Sequence, residues 1–464
     1  MLNKKALIIL LIIVVIMIVP GMVFAQAYGT SFTTSVTYQN VGTGDATITV
    51  SFYPDSTTTT PINITTDPLP PNASSSLYIG SLSNVSAGFQ GSAVIQSDQP
   101  IVATMVQLPQ GANRGTNNRP LANGFSQGSE KVLIATVLKN TYNTNTVFSV
   151  QNAGSSATDA TFKFYDTSAN LVYSFTENIQ PGAAFYVDAG TLSGLGSSFN
   201  GSAVVETTGG EIVGGAMELS SSGAGASSFE GVGSGSQKIY MPSALCSAYG
   251  ADTAYAVQNT NLTSTATVTV TYSNGVEDTK SIPAGAKGSF VACNAPSMTA
   301  GYSGSAVITS DQPVIAIGKA YGSGLSTAFV GIADGASKIA LPYVRYASAT
   351  NWASGSQQRA FLTIQNVGDT DLAAGDVTVK YIDKNGNQVG STHTLGAIPV
   401  GGKLNSSAAD AGLSEFGVYS DGSFGGGAIV EGPAGSKLAV VARISTQVAP
   451  GQFASEDYNG MPVQ

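Results

Sequence analysis

With 464 residues the chain is long enough for several domains, each able to bury a core of its own. Charged residues make up only 10% of it, against roughly 25% in ordinary soluble domains, while 42% are hydrophobic, which excludes a disordered chain. A net charge of −9 and a pI near 4.6 leave no basic stripe to neutralise phosphates and exclude nucleic acid as a partner.

The chain opens as an export signal. Lys4-Lys5 precede an unbroken apolar run from Ala6 to Val19, Pro20-Gly21 end it, and Val23-Phe24-Ala25 places small residues where a signal peptidase reads. Cleavage before Gln26 is expected, giving a signal peptide over 1–25. The competing reading is an uncleaved anchor over Ala6 to Ala25. No membrane span is expected in the mature chain.

After the leader, two landmarks recur in fixed order. Gln-Asn pairs stand at Gln39-Asn40, Gln151-Asn152, Gln258-Asn259 and Gln365-Asn366, at intervals of 112, 107 and 107 residues. Each is followed by an aromatic-x-Gly-x-Ala signature, with its glycine at Gly91, Gly201, Gly304 and, more weakly, Gly426. Such recurrence means one duplicated unit of about a hundred residues. We divide the chain at 26–126, 127–233, 234–334 and 335–464.

Within each unit the pattern is that of short strands. Runs such as Ala46 to Tyr53, Ala266 to Tyr272 and Asp376 to Ile382 alternate apolar and polar side chains and are rich in Thr, Val and Tyr. Asn274-Gly275 and Asn385-Gly386 suit type I′ hairpin turns. The next strand ends at Pro181-Gly182, Pro283-Ala284-Gly285 or Pro399-Val400-Gly401. A late pair of strands follows, joined in the first unit by Ser97-Asp98-Gln99 and in the third at Ser310-Asp311-Gln312-Pro313. Lys131, Lys238 and Lys338 lead strands that open units two to four. The expected fold is all-β, four tandem immunoglobulin-like β-sandwiches in a row after the signal peptide. Unit one has no Lys-led strand, so its sandwich lacks an opening strand unless Tyr28 to Thr34 forms a shortened one. The edge left behind could accept a strand from another chain.

Ile364-Gln365-Asn366-Val367-Gly368, the strand Asp376 to Ile382 and Pro399-Val400-Gly401-Gly402 resemble the adhesion-related immunoglobulin-like domains called CARDB. The tandem pattern resembles repeat-bearing surface proteins of filamentous bacteria such as Chloroflexi. What the resemblance implies is a secreted sandwich with adhesive or structural roles; it carries over no active-site residue.

Residues with chemistry are few. Cys246 and Cys293 are the only cysteines and, in an exported chain, are expected to form a disulfide; free thiols and a metal pair are the competing readings. The single histidine, His393, lies in a polar strand without a Gly-x-Ser-x-Gly elbow, so no Ser-His-Asp set is expected. No catalytic residue, metal site or cofactor is expected. Asp383-Lys384-Asn385-Gly386-Asn387 reads as a hairpin turn rather than a calcium loop, and Asp98 and Asp311 as turn caps. Trp352, with Asn351 and Tyr346, is a core residue or part of a sugar-stacking platform. The expected function is that of a non-enzymatic extracellular structural or adhesive protein of a cell surface, sheath or filament. Its expected partners are copies of itself or a cell-surface polymer. The alternative is a carbohydrate- or surface-binding module array.

Overall fold

The computed structural model describes residues 26–348, 357–419, 423–449 and 452–463. The leader, Asn351 and Trp352 lie outside them. Among the described residues the elements are strands and single turns of 3-10 helix.

The first repeat supplies β1 (Phe32–Asn40), β2 (Ile48–Tyr53), β3 (Ile62–Thr65), β4 (Ser74–Tyr78), β5 (Ser92–Ser97), β6 (Ile101–Pro109) and β7 (Leu121–Asn123). The second supplies β8 (Lys131–Lys139), β9 (Thr144–Asn152), β10 (Thr158–Asp166), β11 (Leu171–Ile179), β12 (Ala184–Asp188), β13 (Phe199–Glu206), β14 (Ile212–Ser220) and β15 (Ala226–Glu230). In the third are β16 (Ser236–Cys246), β17 (Asp252–Asn259), β18 (Ala266–Tyr272), β19 (Glu277–Ile282), β20 (Lys287–Val291), β21 (Tyr302–Gly322) and β22 (Leu325–Val330). The fourth opens with β23 (Lys338–Leu341), β24 (Tyr346–Ala347), β25 (Gln357–Asn366), β26 (Thr378–Ile382) and β27 (Gln388–Thr394). It closes with β28 (Lys403–Ser406), β29 (Gly427–Glu431), β30 (Leu438–Ala449), β31 (Gln452–Asn459) and β32 (Met461–Pro462).

The second repeat shows the plan most fully. One antiparallel sheet runs β11-β10-β13-β8 and the other β12-β9-β14-β15. On β10, Ala160, Phe162 and Phe164 turn inward while Thr161 and Lys163 turn out, the alternation expected of a strand with one buried face. Phe148 of β9 meets Phe162 across the core with ring centroids 6.2 Å apart, so the two sheets pack face to face. Second-with-fifth and third-with-sixth pairing is shared with immunoglobulin sandwiches. Here, however, the first strand joins the sixth and the seventh joins the second.

Two departures from the repeat matter. In the third repeat the sixth and seventh strands are one, β21, whose first half pairs with β16 and β18 and whose second half pairs with β17 and β22. The expected joint at Ser310 to Pro313 is extended instead. Asp311 there accepts from the Thr267 amide at 2.8 Å, which holds the crossing segment against its neighbour. In the first repeat the sheet β3-β2-β5 has three strands, and among the described residues no strand pairs with the outer edge of β5.

Units expected in a row are found to close on themselves. Ser92 Oγ donates to Gly182 O at 2.7 Å, Ser202 Oγ to Gly285 O at 3.5 Å and Ser305 Oγ to Gly401 O at 2.7 Å, the same joint repeated from each unit to the next. The fourth unit then meets the first: the Gly426 amide donates to Ser74 Oγ at 2.8 Å, and Val106 and Leu121 of the first repeat enter the fourth repeat's core. A head-to-tail interface that returns to its origin makes a ring. The last full strands of the four units, β7, β15, β22 and β31, line its axis. Asn123 Nδ2 donates to Asn459 O at 2.8 Å and Thr327 Oγ1 to Asp457 Oδ2 at 2.8 Å, and the space between the strands is too small for a water molecule.

Candidate functional site

The repeated signature is structural, and its parts can be read atom by atom. Each asparagine of the Gln-Asn pairs is buried and uses its side chain to hold the following turn. Asn152 Nδ2 donates to Ser156 O and Ile179 O, both at 2.8 Å, and its Oδ1 accepts from the Gly154 amide at 2.9 Å. Asn40, Asn259 and Asn366 make the same three kinds of bond. Among the glutamines, Gln151 Nε2 reaches Ala93 O of the preceding unit at 3.2 Å and Gln365 Nε2 reaches Ala306 O at 3.3 Å. Gln39 bonds to its own turn at Asn72 O, while the side chain of Gln258, equally buried, makes no hydrogen bond among the described residues. The signature glycines allow close approach: a Cβ on Gly91 would lie 2.0 Å from Tyr53 O, and one on Gly201 2.0 Å from Tyr165 O. On Gly304 it would meet the Tyr302 hydroxyl at 2.2 Å, and Gly426 has φ 122°, a region L side chains rarely adopt.

Charged side chains collect at the joints between units. Lys287 and Lys319 of the third repeat both face Thr136 of the second, at 2.9 and 3.4 Å, and Lys319 also pairs with Glu218 at 2.7 Å. Burial, with the neighbouring Lys319, pushes Lys287 down to about 7, against the opposing pull of Glu218. At the next joint Lys403 occupies the place of Lys287; burial, with Arg443 nearby, pushes it down to about 8. Arg443 is itself paired with Asp457 at 2.6 Å. Where the ring closes, Arg119 pairs with buried Glu456 and bonds to Tyr343. Lys287, Lys319 and Arg119 thus bond across joints, while Arg443 pairs with Asp457 and Lys403 bonds to Asn405 within the fourth repeat.

The remaining candidates fall into place in the same way. Cys246 and Cys293 form a disulfide, closing a separation of 47 residues. Asp252 lies beside both, but each sulfur is already bonded to the other. His393 Nδ1 lies 2.8 Å from Ser406 Oγ, which in turn is 3.0 Å from the Tyr381 hydroxyl. Ser406 is only 1% exposed, so a substrate carbonyl has no approach to it, and the pair acts as a strut between sheets. Asp383 Oδ1 accepts from the amides of Asn385 and Asn387, both at 2.9 Å, which makes that segment a hairpin turn. Asp98 accepts from the Thr47 amide at 2.7 Å, so it and Asp311 cap the neighbouring hairpin rather than their own turns. Tyr346 is covered by the Arg359 guanidinium at 4.1 Å.

One surface is not used up in this way. In repeats two to four the sixth strand is flanked by β8, β16 or β23. On β13, Ala203, Val204 and Val205 are consequently buried, whereas their counterparts on β5, Ala93, Val94 and Ile95, are only half-buried. The edge reads Ser-Ala-Val-Ile-Gln-Ser, without a charge, proline or bulge to discourage pairing. The described residues before β1 do not fill the gap. Ala27–Gly29 forms a 3-10 turn packed on Leu219 and Ala226, and the Tyr28 hydroxyl donates to Asp188 at 2.6 Å. The shortened strand considered for Tyr28 to Thr34 therefore begins only at Phe32, as β1, which belongs to the other sheet.

Comparison with family models and with curated proteins finds no match. Sequence reasoning also missed the lysines of the joints and two tyrosines. Tyr142 and Tyr249 each stand nine residues before the glutamine of a Gln-Asn pair, a spacing that was there to be counted.

Proposed function

We propose that this chain is a non-enzymatic extracellular protein with a structural or adhesive role in a cell surface, sheath or filament. Its resemblance to adhesion-related repeats, its export signal and its low charge support this reading. The observation that carries it is the edge of β5, where the repeat provides a place for a strand and the described residues provide none. A strand from another copy that settled there would bury Ala93, Val94 and Ile95 and pair the outward backbone groups still open along the edge, Ala93 O being already taken by Gln151 Nε2. Because donor and acceptor would be different surfaces, addition would build a filament wherever the angle between copies does not close a ring. No helix among the described residues is long and apolar enough to cross a membrane.

Sedimentation of the chain beginning at Gln26, over a rising concentration series, tests the reading. Growth into large species is expected, and Val94→Lys should suppress it. An excess of a peptide copying Lys131 to Lys139, the strand that flanks β13, should suppress it too. A chain that stays monomeric at high concentration ends the filament reading.

A further inference from the structure

Tyr142 and Tyr249 are the most exposed large apolar side chains described, at 78% and 86%. They occupy one position in two repeats: the tip of the hairpin from the opening strand to the next, β8 to β9 and β16 to β17. In both, the residues flanking a two-residue turn bridge each other, Thr141 with Thr144 and Ala248 with Ala251. Both central residues have left-handed backbone, Tyr142 at φ 52° and Asn143 at 53°, Tyr249 at 55° and Gly250 at 73°. That is the type I′ pattern, which favours Asn and Gly and disfavours a bulky side chain. A residue in a disfavoured backbone region whose ring stands largely in solvent is a pointer to function.

The tips are held still while the rings stand free. The Ser221 amide donates to Asn143 O at 2.7 Å, and Ser323 Oγ donates to Gly250 O at 3.2 Å. At the base of the first hairpin, Lys139 Nζ is fixed to Leu192 O at 2.8 Å; at the matching place in the second stands the Cys246–Cys293 disulfide. Because the joint from unit to unit repeats and the units close into a ring, equivalent positions lie at one height along the axis. Both tyrosines therefore face the same way. Around them stand mainly hydroxyls, amides and glycine (Asn140, Thr141, Asn143, Ser247, Gly250 and Ser323), joined at the second tip by Asp252, which holds the Ser247 amide at 2.7 Å, and by half-exposed Tyr321.

We propose that this face of the ring binds an uncharged polysaccharide, with Tyr142 and Tyr249 each stacking on a sugar ring. The proposal goes beyond a structural role and does not depend on strand addition at β5. A projecting aromatic ring in predominantly polar surroundings suits a partner with a flat C–H face and hydroxyl edges. A protein surface would instead find little apolar area to cover. Single rings bind weakly; two rigidly placed tips gain by acting together on one chain.

The test is co-sedimentation of the whole protein with insoluble cellulose, chitin and starch, against Tyr142→Asn, Tyr249→Asn and the double variant. Asparagine favours the turn, so these variants should melt no lower than the parent. Retention on at least one of the polymers is expected, weaker in each single variant and weaker by about tenfold or more in the double variant. Equal retention of the double variant, or no retention of the parent on any of the three, overturns the proposal.

Discussion

At the scale of single residues, the chain spends its few polar and charged side chains on internal joints. Asn259 is one such case: three carbonyls and one amide depend on its side chain. Asn259→Ala would leave buried backbone groups unpaired and should cost about 2–3 kcal/mol, read from denaturant unfolding. Lys287 is a case with a pH signature. Its folded pKa lies near 7, well below the ordinary lysine value, so between these limits the unfolded chain binds more protons than the folded one. The group therefore opposes folding fully below pH 7, and the penalty fades as pH rises toward the unfolded value. Lys287→Met removes it, so the variant should melt above the parent at pH 6, with the gap narrowing by pH 10. A gap that widens with pH would mean that the lysine stabilises the joint as a cation.

At the scale of elements, most of the strands were legible and their assembly was not. Alternation marked β2, β18 and β26 because one face of each is buried, and Asn274-Gly275 and Asn385-Gly386 marked hairpins through their turn chemistry. Gly275 and Gly386 have φ 83° and 90°, but Asn274 and Asn385 do not have positive φ, so these turns are hairpin turns of another type than the expected type I′. The continuous β21 was hidden, since Ser-Asp-Gln-Pro reads locally as a turn and only its hydrogen bonds to neighbours keep it extended. The disulfide was foreseen, but its place was not. It fixes the end of β16 where a lysine-to-carbonyl bond fixes β8. Replacing both cysteines by serine should therefore loosen one hairpin, costing about 2–4 kcal/mol, without unfolding the ring.

At the scale of the molecule, closure was beyond the sequence because it depends on contacts between residues hundreds of positions apart. Asn123 bonding to Asn459 has no local signal, and neither does Gly426 bonding to Ser74. What can be recognised afterwards is that the same joint, made with Gly182, Gly285 and Gly401, uses one surface of each unit against another surface of the next. Such an interface gives a ring or a helix according to its angle, and here four steps bring it back to the start. Closure has a consequence in solution. A packed chain of this length has a radius of gyration of about 22 Å, whereas four sandwiches end to end would have roughly twice that. Small-angle scattering of the chain from Gln26, at concentrations low enough to keep it monomeric, should give a value near the lower figure. Arg119→Ala would leave Glu456 buried and unpaired at the closing joint, at a cost of about 3–5 kcal/mol. The measured radius should then rise toward the extended value as the first unit swings free. If the parent already scatters as a rod, the ring is not the solution state and the common height of Tyr142 and Tyr249 is lost with it.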